Sequence, residues 1–177
     1  MRKALVFLGI LDDSDIEWML RNGEKQRVPT GTVLIQQGRQ SDFLYFVLDG
    51  QFLVSTHTAA RVAVLNAGEV LGEISLVDSR PPTASVSAVV ESRVGVVPRA
   101  LLQQKLRQDV GFASRFYHSI AVFLADRLRT TTGQLGSGEL ELDEHIEDLD
   151  EMAPHVLDNI SLAGLRFSEM QRRDWGA

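Results

Sequence analysis

There is no cysteine among the 177 residues. That excludes disulfides, thiolate-bound zinc and iron–sulfur clusters. Histidine is scarce too: His57, His118, His145 and His155 are the whole supply. They do not pair at metal-ligand spacing and form no His-Glu-x-x-His, so no metal site is expected. A hydrolase needs a nucleophile, a base and an orienting third group. Ser75 and Glu73 are close in sequence, but no histidine lies near them, so no catalytic residue is expected.

No run approaches the eighteen or so apolar residues that cross a bilayer. Met1-Arg2-Lys3 followed by the apolar residues 4–11 mimics a signal peptide. The run ends at Asp12-Asp13 without a small-residue cleavage site, so a cytoplasmic protein with no membrane partner is expected. Positive charge is scarce in the last quarter. Residues 1–132 hold 15 Lys and Arg against 13 Asp and Glu, while residues 133–177 hold 3 against 11. A near-neutral body thus carries an acidic tail of net −8. A nucleic-acid binder would show the opposite sign on some face.

At this length the expectation is one domain with a sizeable core. Asp12-Asp13-Ser14-Asp15 offers a helix cap before Ile16, Trp18, Met19 and Leu20, so short helical segments are expected at 4–9 and 14–22. Residues 25–98 alternate short β-rich runs with turn signals. Candidate strands are 25–28, 32–36, 43–48, 51–56, 61–65, 69–71, 84–90 and 92–97. Asp49-Gly50 between two such runs signals a hairpin. Eight short strands at regular spacing indicate a sandwich or barrel. Pro98 closes the last strand, a helix is expected over 99–108, and Asp109 caps a longer one over about 110–132. On that helix Ala113, Phe116, Tyr117, Ile120, Leu124 and Leu128 form one wide apolar stripe. It can pack on its own domain or on a partner, and a mixture of the two is expected. Gly133-Gln134-Leu135-Gly136-Ser137-Gly138 reads as a linker; its glycine order does not suit a dinucleotide fingerprint. Beyond it Leu142, Ile146, Leu149, Ala153, Val156 and Ile160 form a helical stripe interrupted at Pro154. That tail either folds back on the body or docks a partner.

The chain is organised around Leu71-Gly72-Glu73-Ile74-Ser75-Leu76-Val77-Asp78-Ser79-Arg80-Pro81-Pro82-Thr83-Ala84-Ser85-Val86. It reads as a strand end, one helical turn, a tight loop and a new strand. Gly72 permits backbone angles closed to other residues and a close approach to the main chain. The free N–H groups of a turn at Glu73-Ile74-Ser75-Leu76 favour an anion. The two prolines end the turn. These residues describe a phosphate-sized pocket with one carboxylate beside it. Glu73 is its best site residue; the plainer alternative is that Glu73 caps its own turn.

Gly72, Glu73, Leu76, Pro81, Ala84, Ser85 and Val86 resemble, in order and spacing, the phosphate-binding cassette of cyclic-nucleotide-binding domains. Phe7-Leu8-Gly9-Ile10-Leu11 and the stretch from Thr32-Val33-Leu34-Ile35 through Gly50 resemble other elements of that family, extending the likeness over about residues 5–130. The resemblance implies a β-roll or jelly roll of eight strands, flanked by N-terminal helices, a long C-terminal helix and here an acidic helical tail. It implies a cyclic nucleotide ligand, cAMP-like, held over Leu71, Gly72, Glu73, Ile74, Ser75, Arg80, Thr83 and Ala84. Glu73 would accept a ribose hydroxyl, and the N–H groups of Ile74 and Ser75 would hold the cyclic phosphate. The family's usual phosphate-binding arginine is replaced by Pro82. A bidentate charge-assisted contact contributes roughly 1.5–3 kcal/mol, so its loss weakens binding roughly ten- to hundredfold. Arg80 could reach in from two residues away or lie solvated, and Thr83 could donate a hydroxyl.

The family resemblance further implies a homodimer through Phe116, Tyr117, Ile120, Leu124 and Leu128. Relatives that regulate transcription carry a helix-turn-helix domain after the long helix; residues 133–177 show no basic recognition helix, so no DNA partner is expected. The domain reading is a cyclic-nucleotide-binding-like domain at 1–132, a linker at 133–138 and a tail at 139–177. The expected function is a stand-alone sensor that signals through its long helix and tail to an unknown protein partner. The alternative is a β-roll interaction module that binds no ligand.

Overall fold

The computed structural model describes residues 7–58, 61–78, 80–137 and 154–176. Its framework is two four-stranded antiparallel sheets. One has the order β1(Glu24–Val28), β8(Ser92–Pro98), β3(Phe43–Asp49), β6(Val70–Leu71). The other has the order β2(Val33–Ile35), β7(Ser85–Ala88), β4(Gln51–Ser55), β5(Ala63–Asn66). All eight expected strands are present, within two or so residues of their expected ends. The helices are α1 at residues 7–10, α2(Asp13–Asn22), α3(Ile74–Val77), α4(Arg99–Gln108), α5(Val110–Ser137) and α6(Pro154–Arg172). Among the described residues no helix is long and apolar enough to cross a membrane.

Strand β3 shows how the layers meet. Tyr45 and Val47 point between the sheets with Leu71, Val94 and Val96. Leu44, Phe46 and Leu48 point the other way, into a second core with Phe7, Phe112, Phe116 and Trp175. Side chains alternate faces along a strand, so a strand covered on both sides needs an unbroken apolar run. Phe43-Leu44-Tyr45-Phe46-Val47-Leu48 is such a run.

The Asp49-Gly50 turn corrects one expectation. It joins β3 to β4, but the two strands lie in different sheets and do not pair. Both edges of β3 are already taken, by β8 and β6. The turn is therefore a crossing between sheets. Gly50 has φ 95°, and a Cβ there would lie 2.5 Å from that of Ser92.

Asp12 caps α2 as expected, in a reciprocal box with Asp15. Helix α5 begins where expected but runs on through Ser137, into the stretch read as a linker. Glycine lowers helix stability by only about 1 kcal/mol per residue and does not by itself stop a helix. The expected stripe at Leu142, Ile146, Leu149 and Ala153 lies outside the described residues. The last part of the tail folds back: Ala163, Phe167, Met170 and Trp175 join the core on the outer face of β3 and β8. A Cβ on Gly95 would lie 2.1 Å from the Trp175 ring, so the indole occupies the notch that this glycine leaves.

Candidate functional site

The site begins where β6 ends. Val70 and Leu71 pair with Phe46 and Tyr45 of β3, which fixes the direction in which the chain leaves the sheet. Gly72 follows with φ 87°, a left-handed conformation costly for a side chain. A Cβ on it would also sit 2.5 Å from the carbonyl oxygen of Phe43. The chain then closes the single turn of α3, with Leu76 N–H donating to the Glu73 carbonyl at 3.0 Å and Asp78 N–H to that of Ile74 at 2.8 Å.

Glu73 is turned inward and only 2% exposed. Its side chain makes no capping bond to α3. It accepts instead from Nη1 of Arg127 on α5, at 2.6 Å. The Arg127 guanidinium also lies over the Phe123 ring, 5.7 Å from its centroid, a favourable place for a cation. Burial pushes the Glu73 carboxyl above its ordinary value, and the Arg127 charge pulls the other way. The cassette and the long helix thus meet at an ion pair whose carboxylate is buried and whose guanidinium is partly exposed.

The other expected site residues fall around it. Ser75 is buried and Ile74 exposed. The Ser75 carbonyl accepts from Nη1 of Arg99, the first residue of α4, at 3.4 Å. Ala84 is half-buried and Thr83 exposed. The Arg80 side chain is 86% exposed and paired with Asp78 at 2.6 Å. The Pro82 carbonyl accepts from Gly38 N–H at 2.9 Å, and Ser85 Oγ accepts from Gln37 N–H at 2.9 Å. The loop is thereby tied to the turn between β2 and β3.

On α5 the expected stripe divides in two. Phe116 and Ile120 are buried in their own chain, together with Phe112, Ser119 and Phe123. Leu124 is partly buried, while Tyr117 is 47% and Leu128 67% exposed. Sequence reasoning passed over Arg127 and Arg99. Arg127 had a signal: Phe116, Ile120, Phe123 and Arg127 follow at steps of four, three and four, so a charge stands on the buried stripe. Arg99 had none, since its contact lies across the fold.

The site is thus a Gly-Glu turn at the end of β6 whose carboxylate meets the long helix α5. Residues 25–109, just under half of the chain, match the family model for the cyclic nucleotide-binding domain. It is 28% identical over 147 residues to the cyclic AMP receptor protein of Thermus thermophilus, covering 81% of this chain and 62% of that protein. It is 23% identical over 129 residues to the cAMP-activated global transcriptional regulator of Escherichia coli, covering 71% of this chain and 60% of the regulator. The chain thus spans about 60% of the length of these curated relatives. A solved cyclic nucleotide-binding domain from Methylobacillus flagellatus superposes with a TM-score of 0.69 at 20% identity, covering 80% of this chain and 86% of that one.

Proposed function

We propose that this chain is a non-catalytic sensor that binds a cyclic mononucleotide, cAMP-like, at residues 71–84 and reports it through α5. The observation that carries the reading is the Glu73–Arg127 pair, because it puts the cassette's carboxylate and α5 in direct contact. A ribose hydroxyl donating to Glu73 would share or displace Arg127. The phosphate would take the N–H groups of Ile74 and Ser75. The same Arg127 is the nearby cation that offsets the arginine absent at Pro82. Ligand shifts α5 only by its different affinity for the two helix positions. The names of the Thermus thermophilus and Escherichia coli relatives support cAMP as the first ligand to test. The setting is cytoplasmic, the protein pairs as a homodimer along α5, and the acidic residues 133–177 suit a protein partner better than nucleic acid.

Two observations favour a second reading, a ligand-free interaction module. Position 82 is proline, and Glu73 already has a full ionic partner. Thermal unfolding with cAMP, cyclic GMP and cyclic di-GMP at millimolar concentration separates the two. Ligand at a hundred times its dissociation constant stabilises by about 2.7 kcal/mol, which raises the midpoint by roughly 5–10 °C for a chain this size. Glu73→Gln should remove most of that rise. No rise with any of the three, in a folded protein, overturns the sensor reading for these ligands.

A further inference from the structure

The short segment Asp12-Asp13-Ser14-Asp15, where α1 turns into α2, holds arginines from two other helices. From α5, Arg115 donates Nε to Asp15 Oδ2 at 2.6 Å and Nη2 to Asp15 Oδ1 at 2.8 Å. It also pairs with Asp12 at 2.9 Å. From α6, Arg166 donates Nε and Nη2 to Asp13 Oδ1 at 2.9 and 2.7 Å. Its Nη1 donates to the carbonyl oxygens of Leu8 and Leu11 at 2.8 and 2.7 Å. Asp12 and Asp15 are themselves locked to each other by the capping box. The position of the first turn of α2 is thus held from α5 and read by α6.

We propose that α6 is a conditional strap, keyed to α5 through this joint, so that displacement of α5 loosens the docking of α6. Arg166 is only 7% exposed. Its partner Asp13 is 83% exposed, so Arg166 holds α6 to this turn through Asp13 and the Leu8 and Leu11 carbonyls together, and a shift of the turn leaves a buried charge short of acceptors. The rest of its seam is narrow. Ala163, Phe167 and Met170 are buried, while Leu162 and Leu165 on the same helix are exposed. At the far end Trp175 Nε1 donates to the Met170 carbonyl at 3.0 Å, and Gly176 N–H donates to that of Leu20 at 2.8 Å. That end is anchored on α2, on the Gly95 notch of β8, and on the same sheet through Gln171, whose Nε2 donates to the Leu48 carbonyl at 2.6 Å and whose carbonyl accepts from Lys25 Nζ at 2.7 Å. Arg115 is the position in α5 from which a movement would be passed on, because its two carboxylate partners flank Asp13. The link from a ligand to α5 rests on the sensor reading above; the link from α5 to α6 does not.

Hydrogen exchange of the full chain, followed peptide by peptide, tests the joint without any ligand. Arg115→Gln should speed exchange across residues 161–176 by about tenfold, the size expected for residues coupled through a shared network. Peptides from β3 and β8 should be unchanged, and Arg93→Gln, which breaks a surface pair with Asp49, should change nothing in α6. Exchange that rises at residues 12–22 but not at 161–176, or rises equally in β3, β8 and α6, overturns the proposal. Should Arg115→Gln fail to fold, Arg115→Lys decides: it keeps the charge but loses the fork, and unchanged exchange in α6 then overturns the joint. A parallel sample with 1 mM cAMP separates the two readings. If cAMP raises the thermal midpoint and leaves α6 exchange unchanged, the coupling to ligand is wrong. If cAMP does not raise the midpoint, cAMP is not the ligand and the variants alone judge the joint.

Discussion

At the scale of single residues, Glu73 carries two opposing influences, and they fix a dependence on pH. Burial raises its carboxyl above the ordinary value of 4.5, against the pull of Arg127. The folded state therefore holds this proton more tightly than the unfolded chain. Its contribution to stability is fully present below about 4.5 and is lost as pH rises through the folded value. Between pH 4 and 7 the urea midpoint of the unmodified chain should fall relative to that of Glu73→Gln. A rise over the same window would mean that Arg127 outweighs burial. Position 82 makes a separate prediction. Its carbonyl is already tied to Gly38, so the loop has a fixed geometry into which a side chain can be placed. Pro82→Arg should tighten cAMP binding, measured by calorimetry, by roughly tenfold or more. Unchanged or weaker binding with the fold intact would show that position 82 does not face the phosphate.

At the scale of elements, helix α5 shows what the sequence could and could not tell. Its apolar residues were legible, but the stripe was read as one wide face. The fold divides it: Phe112, Phe116, Ile120 and Phe123 are buried in the core beside Phe7 and Trp18, and Tyr117 and Leu128 are exposed. Period alone does not say which flank of a wide stripe meets the core. The strands were legible because turn signals bound them, whereas the pairing of β3 was not, since a strand's neighbours are set by distant residues. The Gly-Glu turn was legible in the cassette; its ion pair to α5 spans 54 residues and was not. The return of α6 depends on a notch at Gly95 that no local pattern announces. Phe116 tests this division. It lies fully buried, edge-on to Phe7 at 5.5 Å and stacked on Phe112 at 5.5 Å. Phe116→Ala should cost about 3–5 kcal/mol in urea unfolding. A loss under about 1 kcal/mol would mean that this face of α5 is not the core.

At the scale of the whole molecule, the outward face of α5 asks for a partner. Its 28 residues make a helix roughly 42 Å long at 1.5 Å per residue. Tyr117, Ala121, Leu124 and Leu128 follow at steps of four, three and four, the spacing of a seam between two helices. On an ideal helix this line lies about 90° around from Phe116 and Ile120. One helix can therefore serve its own core and a second copy at once. A two-fold pairing of identical seams is the simplest closed solution. Leu128, 67% exposed, separates the two roles better than Ile120. Leu128→Glu sets two carboxylates against each other across the seam, leaves the core untouched, and should give folded monomers by light scattering. Ile120→Glu, at a site 2% exposed, should instead unfold the chain, because it buries a charge without a partner. If the unmodified chain is itself monomeric at tens of micromolar, the seam is not a dimer contact.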